Sequence, residues 1–142
     1  MSHNRVHISE TAGQFREGEL DPRYTGYFEL FNQQKYFEAH EVLEHVWLKD
    51  KQGPDGAFYK GLIQLAGAFV HLQRNRPQPA ASLFKLALAN LEKYRPVHAQ
   101  LNLNNICGLI GTWLDDLERT QFKMNPLTAM SAPKLKLEEV GK

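Results

Sequence analysis

Two histidines and three glutamates lie close together in residues 36–47, and their types and spacing could support chemistry. In an α-helix, side chains three or four positions apart share a face. His40 and Glu44 form one such pair, and Glu41 and His45 form another, so each pair offers one imidazole and one carboxylate. Such groups can bind a metal ion, exchange a proton or hold a polar ligand.

The spacing of these groups differs from that of the helical metal motifs. His-Glu-x-x-His and its inverted form place two imidazoles on one helix face, whereas each face here has one. A di-iron bundle draws carboxylates from four helices, and the apolar segment that follows, residues 57–74, contains no acidic residue. We therefore predict no metal and no other cofactor. A mononuclear metal site of His40, Glu44 and His71, which would support metal-assisted hydrolysis, stays open as an alternative.

The composition argues against several other classes of function. The net charge of +1 and the scattered Lys and Arg provide no basic surface for nucleic acid. No apolar run approaches the roughly 18 residues that cross a bilayer, so we expect no membrane partner. Cys107 is the single cysteine, which precludes an internal disulfide. The Gly-x-Ser-x-Gly motif of hydrolases and the glycine loops that bind phosphate are absent from the sequence. The polar N-terminus lacks a secretory signal, and we expect a cytoplasmic protein.

Apolar residues recur at helical spacing in five segments, which predict an all-α, single-domain bundle of antiparallel helical hairpins. The third segment is apolar around most of its circumference, so we place it at the centre. We expect a flexible arm at residues 1–20, the bundle at 21–122, and at 123–142 a flexible tail that buries nothing. Residues 97–103 are expected to form an irregular connector. The predicted helices run from an N-cap at Asp21 to about Gln33, from Tyr36 to about Lys49, from about Ala57 to Arg74, from Ala80 to about Tyr94, and onward from a cap at Asn104 or Asn105.

The third predicted helix carries one polar stripe on an otherwise apolar surface. At about 100° per residue the members of this stripe fall within a narrow arc. Gly61 and Gly67 lie near its edges, and small residues let another helix come close. The fourth helix also has one polar interruption, Asn90, in its apolar face. The stripe on the third helix consists of Lys60, Gln64, Ala68, His71 and Asn75.

Three motifs on the first three helices are shared with a known family. They are Phe31-Asn32, residues 36–44 together with Trp47, and residues 61–66 followed by His71. On these motifs, residues 22–117 resemble the small all-helical family called domain of unknown function 309. The resemblance implies a compact helical bundle and brings no established activity, substrate or cofactor. The loop at residues 74–80 departs from the family's usual pattern. The motif positions that carry over without assigned roles are His40, Glu41, Glu44, Gln64 and His71.

We predict that the polar groups of the second and third helices face each other, because a buried polar group without a partner costs about 1 to 3 kcal/mol. In this arrangement His40 or Glu44 hydrogen-bonds to Gln64 or His71, directly or through one water, in a cavity flanked by Trp47 and opened by Gly67 or Gly61. We expect a small-molecule ligand or a protein partner to bind there. A metal-assisted hydrolase, a helical scaffold for protein partners and a stripe that faces solvent stay open as alternatives, and the oligomeric state is not predicted. The predicted ligand-binding residues are His40, Glu41, Glu44, Trp47, Gln64 and His71.

Overall fold

The computed structural model describes residues 20–139. These residues fold into an all-α bundle, as the sequence predicted, and a short two-stranded sheet within residues 97–102 replaces part of the expected irregular connector. None of the helices in this part of the chain is long and apolar enough to cross a lipid bilayer. The cytoplasmic location and the absence of a nucleic-acid partner stay predictions. The elements are α1 (Pro22–Asn32), α2 (Tyr36–Lys49), α3 (Gly56–Gln73), α4 (Pro77–Leu91), a 3-10 turn (Glu92–Tyr94), β1 (Val97–His98), β2 (Leu101–Asn102) and α5 (Leu103–Arg119).

The aromatic ring of Phe69 shows that α3 is the central helix. Its centroid lies 5.4 Å from that of Phe31 in α1 and 5.1 Å from that of Tyr36 in α2. It also lies 5.3 Å from the ring of Phe84 in α4 and 5.0 Å from that of Trp113 in α5. Each such aromatic pair contributes about 0.5 to 1.5 kcal/mol beyond its buried area. A single residue of α3 therefore contacts all four other helices, which confirms the predicted central position.

The start of α1 matches the prediction. The side chain of Asp21 accepts a hydrogen bond from the backbone N–H of Arg23 at 2.8 Å, and Pro22 occupies the first helical position. A proline fits there because the first N–H groups of a helix have no partner within the helix. The predicted N-cap at Asp21 is confirmed.

Two other helix starts differ from the predictions. The fourth helix begins at Pro77 rather than Ala80, because the first turn tolerates both Pro77 and Pro79, whose missing N–H groups would have no helical partner. The fifth helix is capped by Asn102, whose side chain accepts a hydrogen bond from the Asn105 N–H at 3.0 Å, rather than by Asn104 or Asn105. The expected start of α4 was therefore three residues too late, and the expected cap of α5 was two or three residues too late.

The segment after α5 packs back onto the helices. Leu135 is only 3% exposed. Its backbone N–H donates to Asn32 Oδ1 at 2.7 Å, and Asn32 Nδ2 donates to its carbonyl oxygen at 2.8 Å. Asn125 Nδ2 donates to the carbonyl oxygen of Leu72 in α3 at 2.6 Å. The expectation that residues 123–142 bury nothing is therefore wrong. The domain limits at residues 21 and 122 stay predictions, and the predicted arm, apart from residue 20, lies outside the described residues.

Candidate functional site

A groove of about 280 Å³ lies along α3, between α2 and α4. The lining residues of α3 repeat every three or four positions, so they form one stripe along the helix. From the first to the last of them the stripe extends about 21 Å, at 1.5 Å per residue. Much of the polar stripe predicted from the sequence therefore borders a cavity. The lining residues are Phe37, His40, Lys60, Ile63, Gln64, Gly67, Val70, His71, Arg74 and Leu83.

The groove contains half of the predicted site residues. His40, Gln64 and His71 line it together, with Gly67 beside them. A Cβ atom on Gly67 would lie 3.0 Å from Leu83 Cδ1, so a larger residue there would take up room in the groove. The other three predicted residues do not line it: Glu41 is exposed, and Glu44 and Trp47 are half-buried.

No direct hydrogen bond joins His40 or Glu44 of α2 to Gln64 or His71 of α3 within residues 20–139, and the predicted contact through one water stays a prediction. Gln64 Oε1 instead accepts a hydrogen bond from Asn90 Nδ2 of α4, at 2.8 Å. Gly61 permits this contact, because a Cβ atom there would lie 2.7 Å from Leu91 Cγ and 3.2 Å from the Cβ atom of Asn90. Asn90 is thus a residue of the site that the sequence analysis noticed as a polar interruption but did not assign to the site.

Both histidines of the groove hold one ring nitrogen away from solvent. Nδ1 of His40 and Nδ1 of His71 are buried without a hydrogen-bond partner among residues 20–139. A buried N–H without an acceptor costs about 1 to 3 kcal/mol. The Nε2–H tautomer leaves no N–H group buried without an acceptor. Each imidazole can then donate a hydrogen bond from Nε2.

The charged side chains of the groove are basic. Lys60 Nζ lies 4.3 Å from the ring centroid of Trp47, within cation–π distance. Trp47 thus holds a cation of the groove in place, although it does not line the cavity itself. Neither Lys60 nor Arg74 forms an ion pair in the described part of the chain. The groove therefore has two cationic side chains and no carboxylate among its lining residues.

The mononuclear metal site is not assembled. Across residues 20–139, no three His, Cys, Asp or Glu side chains lie close enough together to hold a metal ion. His40 and His71 line the groove, whereas Glu44 lies outside its lining. The alternative in which His40, Glu44 and His71 bind one metal is thus not supported by their positions.

His71 makes the stability of the fold depend on pH. Burial lowers the pKa of its imidazole below the usual 6.5, and the positive charges of Arg76 and Arg74 lower it further. Below about pH 6.5 the unfolded chain therefore binds a proton at His71 that the folded chain does not, so stability falls as the pH falls through this window. We expect urea unfolding to show a smaller loss of stability between pH 7.5 and pH 5.5 for His71→Gln than for the unchanged chain.

His45→Gln is the matched control for this measurement, since His45 is an exposed histidine of α2 outside the groove. The loss of stability between pH 7.5 and pH 5.5 should be smaller for His71→Gln than for this control. An equal pH dependence for His71→Gln would show that His71 has no depressed pKa.

Comparison with known proteins supports the resemblance. The family model described as Domain of unknown function (DUF309) matches residues 24–83. An uncharacterized protein of Aquifex aeolicus (strain VF5) is 30% identical over 122 residues, which are 84% of this chain and 34% of that protein. The chain thus spans about a third of the length of the curated relative that it matches. No solved structure matches the chain. The resemblance to the family called domain of unknown function 309 is therefore confirmed over residues 24–83.

Proposed function

We propose that this chain binds a small molecule in the groove along α3. The observation that supports the proposal is the convergence of three polar side chains, His40, Gln64 and His71, on a cavity with several apolar lining residues. Small-molecule sites have this character: they are concave and mostly apolar, and they contain a few polar groups that orient the ligand. The amide nitrogen of Gln64 makes no hydrogen bond within residues 20–139, so it can serve a ligand.

The size of the groove limits the size of the ligand. A volume of about 280 Å³ lies at the lower end of the range for small-molecule sites. It equals the space of roughly nine water molecules in the liquid. We therefore expect a ligand of roughly ten non-hydrogen atoms, long enough to follow part of the stripe.

The two rival functions have less support. Metal-assisted hydrolysis requires a ligand set that residues 20–139 do not assemble. A scaffold for protein partners would be favoured by one large exposed apolar patch. The exposed large apolar side chains belong instead to four different parts of the chain, namely α2, α4, β1 and the C-terminal segment. One of them, Phe37 of α2, already lines the groove.

Three probes with the same eight-carbon chain test the proposal: octanoate, octanamide and octylammonium. Each has nine or ten non-hydrogen atoms, and the three differ in the charge of the head group. We expect at least one of them to bind with a roughly millimolar dissociation constant. Binding is measured in ¹H–¹⁵N NMR spectra as shifts of the backbone amide signals of Gln64 and of residue 67 and of the side-chain amide signal of Gln64.

Gly67→Leu is designed to fill the groove, and Gly108→Leu is its matched control. Both glycines lie inside helices, but a Cβ atom on Gly108 would have no neighbour within 4 Å. The tightest probe should bind about tenfold or more weakly to Gly67→Leu and unchanged to Gly108→Leu, with both variants folded by circular dichroism. If none of the probes binds, or if Gly67→Leu binds them as well as the control does, the proposed site is wrong.

A further inference from the structure

We propose that the groove selects a carboxylate with an apolar tail, whose head group lies at Lys60 and Gln64. This inference rests on the proposed function, because it names the ligand class of the same groove. It follows from the hydrogen-bonding character of the lining residues, from their charge, and from the neighbours that hold two of them in place.

The polar side chains of the groove can all act as hydrogen-bond donors. Gln64 uses its oxygen to accept from Asn90, so its amide nitrogen retains two N–H groups for a ligand. His40 and His71 donate from Nε2, because their Nδ1 atoms are buried and unpartnered. Lysine and arginine side chains have no acceptor. A ligand that matches this set must therefore supply acceptor atoms.

The charge of the groove favours an anionic acceptor. Lys60 and Arg74 line it, while no carboxylate does, and neither cation is paired within residues 20–139. Hydrogen bonds between charged partners are about twice as strong as those between neutral groups. Lys60 and Arg74 are fourteen residues apart, about 21 Å along α3, so a head group at Lys60 meets one cation. A single negative charge matches that cation, whereas a phosphate monoester carries nearly two charges at neutral pH. The chemistry therefore points to a carboxylate.

Two donors at one end of the groove are already held in place. Asn90 fixes the amide of Gln64, and the ring of Trp47 holds the ammonium group of Lys60 at 4.3 Å. Lys60 and Gln64 are four residues apart on α3, so their side chains lie on one face. Donors that are ordered before binding cost less entropy when the ligand arrives. Ile63 lines the groove beside these donors, and Val70 and Leu83 line it further along, so their apolar side chains can contact a tail.

The three eight-carbon probes also test this inference. We expect octanoate to bind about tenfold or more tightly than octanamide, and octylammonium to bind most weakly. Inorganic phosphate, which has charge but no tail, should bind more weakly than octanoate. If octanamide or octylammonium binds in the groove as tightly as octanoate does, the selectivity for an anion is wrong, while small-molecule binding still stands. If none of the probes binds, both proposals fail.

Gln64→Glu is the sharpest variant, since it replaces the donor with an acceptor of nearly equal size. The new carboxylate can still accept the hydrogen bond from Asn90, so the packing of α4 on α3 should be retained. We expect this variant to lose about tenfold or more of its affinity for octanoate and to gain affinity for octylammonium. An unchanged order of the three probes would overturn the proposal.

Lys60→Gln and Lys51→Gln form a matched pair of charge variants. Both ammonium groups lie over the Trp47 ring, at 4.3 Å and 5.4 Å, but Lys51 is exposed and does not line the groove. Lys60→Gln should weaken octanoate binding and leave octanamide binding unchanged, whereas Lys51→Gln should affect neither. Equal losses of octanoate binding in the two variants would mean that the general surface charge, rather than Lys60, attracts the anion.

Discussion

Replacing Trp113 with alanine is expected to lower the free energy of unfolding by about 3 to 5 kcal/mol. Trp113 is only 8% exposed, and its ring lies 5.0 Å from that of Phe69 in an edge-to-face arrangement. It also stacks at 6.5 Å on Phe84 of α4. Removing the indole would leave a cavity where α5 meets α3 and α4, and a close-packed interior cannot fully collapse to fill it. Urea unfolding followed by circular dichroism measures the loss.

Trp47→Ala and Trp113→Phe serve as comparisons for this prediction. Trp47 is half-buried on α2, so its removal should cost less than that of Trp113. Phenylalanine at position 113 keeps an aromatic ring beside Phe69 and should retain much of the stability. A near-neutral Trp113→Ala would instead place this residue outside the core on which α5 packs.

The helices were predictable because their signal is local. In α5 the apolar residues recur at three- and four-residue spacing, and the members of that pattern at Ile106, Ile110, Trp113, Leu114 and Leu117 are buried. The same spacing located α2 to the residue. The starts of the helices were less predictable, because several neighbouring residues can serve as the N-cap. Asn102, Asn104 and Asn105 can all act as caps by type, and the structure uses Asn102, the last residue of β2, because α5 begins directly where this strand ends.

Three of the ten residues that line the groove, His40, Gln64 and His71, could be named as site residues from the sequence. Gln64 and His71 were visible because they interrupt an apolar helix, and His40 because it borders the core face of α2. Glu44 lies one turn along α2 from His40, on the same face, but outside the lining of the groove. The length of α2 that borders the groove is set by how the helices pack, which the pattern of one helix cannot specify. The partner of Gln64 was missed for a related reason: its contact with Asn90 depends on the close approach of α4 at Gly61.

Removing residues 125–142 is expected to destabilise the chain, although the sequence alone predicts a change of only a few degrees in melting temperature. The deletion removes the buried side chain of Leu135 and its paired hydrogen bonds with Asn32. It also leaves the carbonyl oxygen of Leu72 without its bond from Asn125. After allowance for the entropy of ordering the segment, we expect a loss of roughly 2 to 4 kcal/mol. This corresponds to a fall of roughly 6 to 15 °C in the melting temperature, measured by circular dichroism.

Leu135→Ala and Met130→Ala separate the packing of this segment from its length. Leu135 is buried, whereas Met130 is 98% exposed, so the first substitution should cost about 2 kcal/mol or more and the second almost nothing. The deletion and Leu135→Ala should then lower the melting temperature in the same direction, because both remove the same buried side chain. If the shortened chain melts within a few degrees of the full one and Leu135→Ala is neutral, residues 125–139 contribute nothing to the fold. The domain would then end before residue 125, in agreement with the predicted limit at residue 122.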